Sequence, residues 1–120
     1  MTAMPEETGM SGYIIHENNR MKYAYDEKNG ILTIYMEGRI DSGNAAAIES
    51  EIGDVMKEKD PSAVILDAEG LDYISSAGLR VLLSSQKTMN DKGSMVVKNV
   101  SEDIQEIFDV TGFSDILTIE

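Results

Sequence analysis

The sequence contains no cysteine and no tryptophan, and its single histidine is His16. Without cysteine there can be no disulfide bond, no thiol nucleophile and no zinc–thiolate site. A lone histidine in a polar stretch also argues against a Ser-His-Asp triad or a multi-histidine metal centre. We therefore expect no catalytic residues, no metal and no cofactor.

Positive charge and long apolar runs are also scarce. The chain has 10 basic and 22 acidic side chains, a net charge of −12. This balance disfavours nucleic acids and anionic membranes, because both are bound through clustered Lys and Arg. No apolar run approaches the roughly 20 residues that span a bilayer, and the first residues lack the pattern of a secretory signal. We expect a cytoplasmic protein with no nucleic-acid partner and no membrane insertion.

What the sequence does contain is enough apolar residues for one core. The 120 residues are 42% hydrophobic and 27% charged, as in ordinary globular proteins. A chain of this length forms one domain. Residues 1–20 show no sustained period, so we expect a flexible or partly paired N-terminal segment. The folded domain is predicted over residues 21–120.

The beginning of that domain reads as a hairpin. Residues 21–26 and 31–37 have the composition of strands, and Asn29-Gly30 stands between them. Asn-Gly tolerates the positive φ angles of a tight turn, which predicts antiparallel pairing.

Helices and strands then alternate. The first helix is predicted to be capped by Asp41 or Ser42 and to end at Asp60-Pro61. Its apolar stripe at the helical period consists of Ala45, Ile48, Ile52, Val55 and Met56. Residues 64–66 read as a strand covered on both faces, 77–90 as a helix and 95–97 as a strand. A third helix follows Ser101, and 116–119 read as a short last strand. The fold class is α/β: a single domain with a mixed sheet and about three to four helices.

Two adjacent serines stand where the loop after residue 74 enters the second helix. One interpretation of Ser75-Ser76 is a plain helix N-cap. The other is a regulatory phosphoacceptor, because a phosphate there would meet free backbone N–H groups and the positive end of the helix dipole. The same phosphate adds nearly two negative charges, enough to repel a docked partner. The residues alone leave both interpretations open.

Residues 21–119 resemble a STAS domain of the anti-sigma factor antagonist type. The most specific part is Ser75-Ser76-Ala77-Gly78-Leu79-Arg80 after a strand ending in Asp67. Supporting features are the turn Gly38-Arg39-Ile40-Asp41 and the run of residues 108–113. Aligned on Gly78-Leu79, the serine that this family phosphorylates falls on Ser76.

The resemblance implies a partner switch. The unphosphorylated domain would bind an anti-sigma factor that is also a serine kinase, and so release a sigma factor. The kinase would phosphorylate Ser76 (second choice Ser75) and dissociate, and a phosphatase would reset the cycle. The docking surface that it implies comprises Asp41, Ser42, Ser75, Ser76, Gly78 and Arg80.

The chain departs from the family pattern at two positions. Ser75 replaces the aspartate that usually precedes the phosphoserine, and Glu69 stands where many members have a small hydroxyl residue. The alternative function is a STAS interaction module of a sensory or stressosome-like scaffold without a phosphoserine switch.

A two-component receiver domain is a further alternative. Asp26-Glu27 would supply its acidic pair, Asp67 its phosphoacceptor and Lys98 its lysine. Such a site needs carboxylates clustered around a divalent metal. The hairpin at Asn29-Gly30 argues against it, because a receiver has a helix after its first strand.

Overall fold

The computed structural model describes residues 15–16 and 22–120, which form a sheet with helices on it. The strands are β1 (Ile15–His16), β2 (Lys22–Asp26), β3 (Ile31–Ile40), β4 (Ala63–Ile74) and β5 (Ser94–Lys98). The helices are α1 (Ala45–Lys59), α2 (Ser76–Asn90) and α3 (Glu102–Thr111), followed by a 3₁₀ turn, Phe113–Asp115. Most of the segment predicted to be flexible or partly paired, residues 1–20, lies outside the described residues.

The five strands lie in chain order across one mixed sheet. β1 pairs antiparallel with β2 and β2 antiparallel with β3, whereas β3–β4 and β4–β5 are parallel. The hairpin between β2 and β3 is confirmed. Gly30 has φ +69°, and its N–H donates to the carbonyl of Asp26 at 2.8 Å. Glycine adopts this left-handed conformation without a steric cost.

β3 and β4 are longer than the sequence predicts. The register between them shifts twice, between Tyr35 and Glu37 and again between Gly38 and Arg39, so pairing continues across two irregularities. Gly38 has φ +71°, and Gly70 lies in the opposite strand. A glycine in a strand sequence normally predicts that the strand ends there, but here glycine marks a β-bulge within a continuing strand. The prediction that the strands end near residues 37 and 67 is therefore wrong.

The apolar face of α1 is confirmed residue by residue, but its predicted cap is wrong. All five stripe residues are buried. The N-cap position is Asn44, and neither Asp41 nor Ser42 caps the helix. The Asn44 side chain instead accepts a hydrogen bond from Asp41 N–H (2.9 Å) and donates to the Arg39 carbonyl (2.8 Å). It therefore braces the loop before the helix.

One face of the sheet carries the core. Leu32, Ile34 and Leu66 are fully buried, and Phe108 of α3 is fully buried in the same cluster. Side chains at alternate positions, such as Ile65, are only partly buried. The expectation of a strand covered on both faces is wrong, because alternating burial is the pattern of a one-sided sheet.

The predicted last strand, residues 116–119, is reduced to a single bridge. Val97 N–H donates to the Thr118 carbonyl at 2.8 Å, and Glu120 N–H donates to the Val97 carbonyl at 2.9 Å. Within the described part of the chain, no helix has the length and apolarity needed to cross a bilayer.

Candidate functional site at the start of helix α2

The two adjacent serines occupy different positions at the start of α2. Ser75 is the N-cap, with extended φ and ψ of −92° and 177°, and its hydroxyl accepts a hydrogen bond from Gly78 N–H at 3.3 Å. Ser76 is the first residue of the helix and is exposed. Its hydroxyl makes no hydrogen bond with any residue that the structure describes. The capping interpretation thus applies to Ser75, while the Ser76 hydroxyl is available to solvent beside the positive end of the helix.

Gly78 is required by packing inside the domain. A Cβ on this residue would lie 2.6 Å from Ile74 Cγ1 and 2.8 Å from Ile40 Cγ2. The residue is buried, and its N–H is used by the cap. The small size of Gly78 thus lets α2 approach the ends of β3 and β4, and its expected place in the docking surface stays a prediction.

A short loop beside α2 carries the next two predicted docking residues. Ser42 is exposed, and the Asp41 side chain is 39% exposed. Asp41 Oδ1 accepts from Gly43 N–H at 2.9 Å. The loop is joined to the serines through the sheet, because Ser75 N–H donates to the carbonyl of Ile40 at 2.8 Å. Asp41 and Ser42 are thus held on the same edge of the molecule as Ser76.

Arg80 is exposed one helical turn after Ser76. Residues four apart lie on the same helix face, so a phosphate on Ser76 and the Arg80 guanidinium would be neighbours. The arginine also borders a cavity of about 440 Å³ along α2. Arg80 is the fifth residue of α2 and so lies in its second turn, beyond the first turn where a cation is least favourable.

The structure adds two residues that sequence reasoning missed. The Arg39 guanidinium lies 4.4 Å from the centre of the Tyr73 ring, and Arg39 Nε is 3.7 Å from Asp41 Oδ2. Tyr73 is one of the few large apolar side chains exposed in the described part of the chain, at 37%. Tyr and Arg are enriched among residues that dominate binding energies. Arg39 and Tyr73 are register partners in β3 and β4, and this pairing brings their side chains together. Predicting the contact from the sequence would have required the correct length of both strands.

The residues of the alternative receiver site are only partly brought together: Asp67 and Lys98 are register partners on β4 and β5, whereas the acidic pair lies apart from them at the hairpin. Asp26 lies at the hairpin, where Asn29 Nδ2 donates to its carboxylate at 2.8 Å and lowers its pKa. Asp67 lies four residues after Ala63, which is the end of β4 nearest the hairpin. Its carboxylate accepts hydrogen bonds from the Asn99 side-chain amide and from Glu69 N–H. Among the described residues there is no cluster of three or more possible metal ligands.

Glu69 is separated from the serines by the end of β4. Glu69 and Ile74 are five positions apart in β4, on the order of 15 Å along the strand. That separation exceeds the Debye length of about 8 Å at physiological ionic strength. The charge of Glu69, the second departure from the family pattern, is therefore largely screened from the two serines.

Comparison with known proteins agrees with this fold. Residues 22–120 match the STAS domain family. A Bordetella bronchiseptica protein named as an anti-sigma factor antagonist, BtrV, is 35% identical over 100 residues, covering 82% of this chain and 85% of its own.

Solved structures show the same architecture. The crystal structure of an anti-sigma factor antagonist from Mycobacterium paratuberculosis superposes with a TM-score of 0.69 at 19% identity, covering 89% of this chain and 82% of that one. The phosphorylated form of SpoIIAA from Bacillus gives a TM-score of 0.59 at 16% identity, covering 90% of both chains. At these identities the structures establish the fold alone. The chain belongs to the STAS domain family, and its relatives include proteins named anti-sigma factor antagonists.

Proposed function

We propose that this protein is an anti-sigma factor antagonist that is switched off by phosphorylation at Ser76. It binds an anti-sigma factor that is also a serine kinase, and that binding releases a sigma factor. It acts as a ligand and a substrate, not as a catalyst, and it does so in the cytoplasm. The relatives' names support the class of function.

The observation that carries the proposal is the free hydroxyl of Ser76. It is exposed at the first position of α2, while the neighbouring hydroxyl of Ser75 is engaged as the cap. A kinase can therefore modify Ser76 without removing a hydrogen bond that holds the helix. The phosphorylated state of SpoIIAA shows that the fold of that protein accepts a phosphate.

The switch follows from charge. A phosphoserine carries about −1.5 to −2 charges at neutral pH. The dipole of α2 and the Arg80 side chain accommodate that charge in the free protein, at a favourable energy of typically 0.3–1 kcal/mol for the dipole. In a docked complex the same charge is desolvated against the partner, where unfavourable charge contacts cost several kcal/mol. Phosphorylation thus leaves the domain folded and removes the partner.

We expect the docking surface to consist of Asp41, Ser42, Ser75, Ser76 and Arg80, with Gly78 supporting it from inside. Arg39 and Tyr73 extend this surface, because they are exposed and lie beside Asp41. A phosphatase that acts on phospho-Ser76 completes the cycle.

The test is capture of partners from a lysate of the source organism in the presence of ADP. Wild type and Ser76→Asp are compared, with Ser76→Ala as the control that keeps the position neutral. We expect wild type and Ser76→Ala to retain a serine-kinase anti-sigma factor and Ser76→Asp to lose it, with affinity reduced roughly tenfold or more. The recovered kinase and ATP should then phosphorylate wild type but not Ser76→Ala.

Two other results would contradict the proposal. Equal recovery of the kinase by Ser76→Asp would show that charge at this position does not control docking. Recovery of other STAS proteins or a membrane sensor by all three forms would favour the scaffold function, in which Ser76 is an ordinary helix residue.

A further inference from the structure

Four of the ten basic side chains of this acidic protein line one groove. The groove lies between α1 and α2 and consists of two adjoining cavities of about 300 and 440 Å³, which share Glu49, Ser84 and Thr88. The basic residues that line it are Lys57, Arg80, Lys87 and Lys92. In a chain with a net charge of −12, this concentration of positive charge stands out from the rest of the surface.

Three of the four cations are available for a ligand. Lys57, Arg80 and Lys87 are exposed and form no ion pair with any residue in the described ranges, whereas Lys92 Nζ lies 2.8 Å from Asp60 Oδ1. Glu49 is the one carboxylate among the described residues that line either cavity. The side chains that line the groove therefore carry a net positive charge, which favours an anionic ligand.

The hydroxyl groups on the groove wall are largely occupied. Ser85 Oγ donates to the Val81 carbonyl at 3.0 Å, and Thr88 Oγ1 donates to the Ser84 carbonyl at 3.1 Å. Recognition thus depends on separated cations rather than on donors that converge on one point. This arrangement suits several carboxylates along an extended chain better than a single phosphate group.

The length of the groove sets the length of its ligand. From Arg80 to Asn90, the last residue of α2, there are ten helical steps, or about 15 Å, and Lys92 follows two residues after the helix end. An extended peptide covers that distance with about five residues. Gly53 has no side chain that could narrow the groove on its α1 side. The space beside it is open, since a Cβ there would meet no atom within 4 Å.

We infer that the α1–α2 groove binds an extended acidic segment of the protein partner that docks at Ser76. Arg80 connects the two surfaces, because it borders the groove and lies one turn from Ser76. The identity of the partner rests on the proposed function, whereas the preference for acidic peptide rests on the groove itself. The other three cations of the groove, Lys57, Lys87 and Lys92, give the interaction a second contact that a phosphate on Ser76 does not occupy.

The experiment measures binding of a hexaglutamate peptide with blocked ends by ¹⁵N chemical-shift titration of the whole chain. Lys87→Glu is compared with Lys28→Glu, an exposed hairpin position that undergoes the same charge change away from the groove. We expect wild type and Lys28→Glu to bind alike, with shifts concentrated at Ser84, Thr88 and Lys92. Lys87→Glu should weaken binding roughly five- to tenfold.

Three outcomes would overturn the inference. These are the absence of groove shifts at millimolar peptide, equal weakening by Lys28→Glu, and tighter binding of inorganic phosphate at the same residues. The last would make the groove a small-anion site. The assay uses neither a kinase nor a modified Ser76, so its failure is distinct from failure of the phosphoserine switch.

Discussion

The two serines differ by one hydrogen bond, which makes Ser75 the helix cap and leaves the Ser76 hydroxyl free for the proposed modification. Ser75 Oγ accepts from Gly78 N–H, and the Ser76 hydroxyl points to no partner in the described part of the chain. The family resemblance predicted Ser76 from the alignment on Gly78-Leu79. The residues alone predicted one cap and could not assign it, because both serines are good N-caps and a shift of one residue changes little in the sequence pattern.

This difference predicts that removing the two hydroxyls affects stability unequally. Ser75→Ala should lower the free energy of unfolding by about 1 kcal/mol, because the cap of α2 is lost. Ser76→Ala should change it by less than about 0.5 kcal/mol, as expected for an exposed position. Urea unfolding followed by circular dichroism measures both. A larger loss for Ser76→Ala would mean that its hydroxyl holds the helix.

At the scale of elements, periodicity predicted the helices better than the strand ends. The five buried positions of α1 follow from the 3.6-residue repeat alone. The ends of β3 and β4 could not be predicted, since Gly38 and Gly70 sit at bulges that only the pairing of the two strands reveals. For the same reason the Arg39–Tyr73 contact was missed.

The junction of α2 with these strands predicts a contrast between two helical glycines. Gly78→Ala should destabilise the protein by about 1–3 kcal/mol, because its Cβ would collide with Ile40 and Ile74. Gly53→Ala in α1 meets no atom within 4 Å and should stabilise the protein by about 0.5–1 kcal/mol. Thermal or urea unfolding of both variants tests this. Equal effects would place the two glycines in similar surroundings and contradict the packing described here.

At the scale of the whole molecule, composition predicted a single acidic α/β domain, but not the uneven distribution of its charge. The exposed side chains of α3 include Glu102, Asp103, Glu106 and Asp109, and α3 has no basic residue. The cations collect between α1 and α2 instead. This uneven distribution of charge depends on which faces of the helices pack together. The sequence alone does not show that packing.

Acid sensitivity is the corresponding prediction. The pKa of Asp109 is lowered, first by its hydrogen bond with the Ser114 hydroxyl and then by that with Gln105. Its contribution to stability is therefore present above the ordinary carboxyl pKa of about 3.9 and is lost as the pH falls through the lowered value. Asp109→Asn keeps an oxygen acceptor but cannot titrate. The stability advantage of wild type over this variant should be constant above about pH 5 and shrink in stronger acid.

The control is Asp54→Asn, at an exposed carboxyl on α1 that forms no hydrogen bond with the described residues. Unfolding curves measured from neutral to acid pH provide the comparison. A pH dependence as large for Asp54→Asn as for Asp109→Asn would show that overall charge, not the hydrogen bonds of Asp109, governs the acid response.

The hydrogen bond from Ser75 N–H to the Ile40 carbonyl, together with the close packing of Gly78, fixes the start of α2 to the sheet. If Ser76 is phosphorylated as proposed, the start of the helix is already held in place, so we expect the two forms of the protein to differ in electrostatic potential rather than in shape. A switch that acts through electrostatic potential alone depends on the salt concentration, because dissolved ions screen the charge. Raising the salt concentration should therefore bring the partner affinities of the two forms closer together, which a switch built on a moving element would not do.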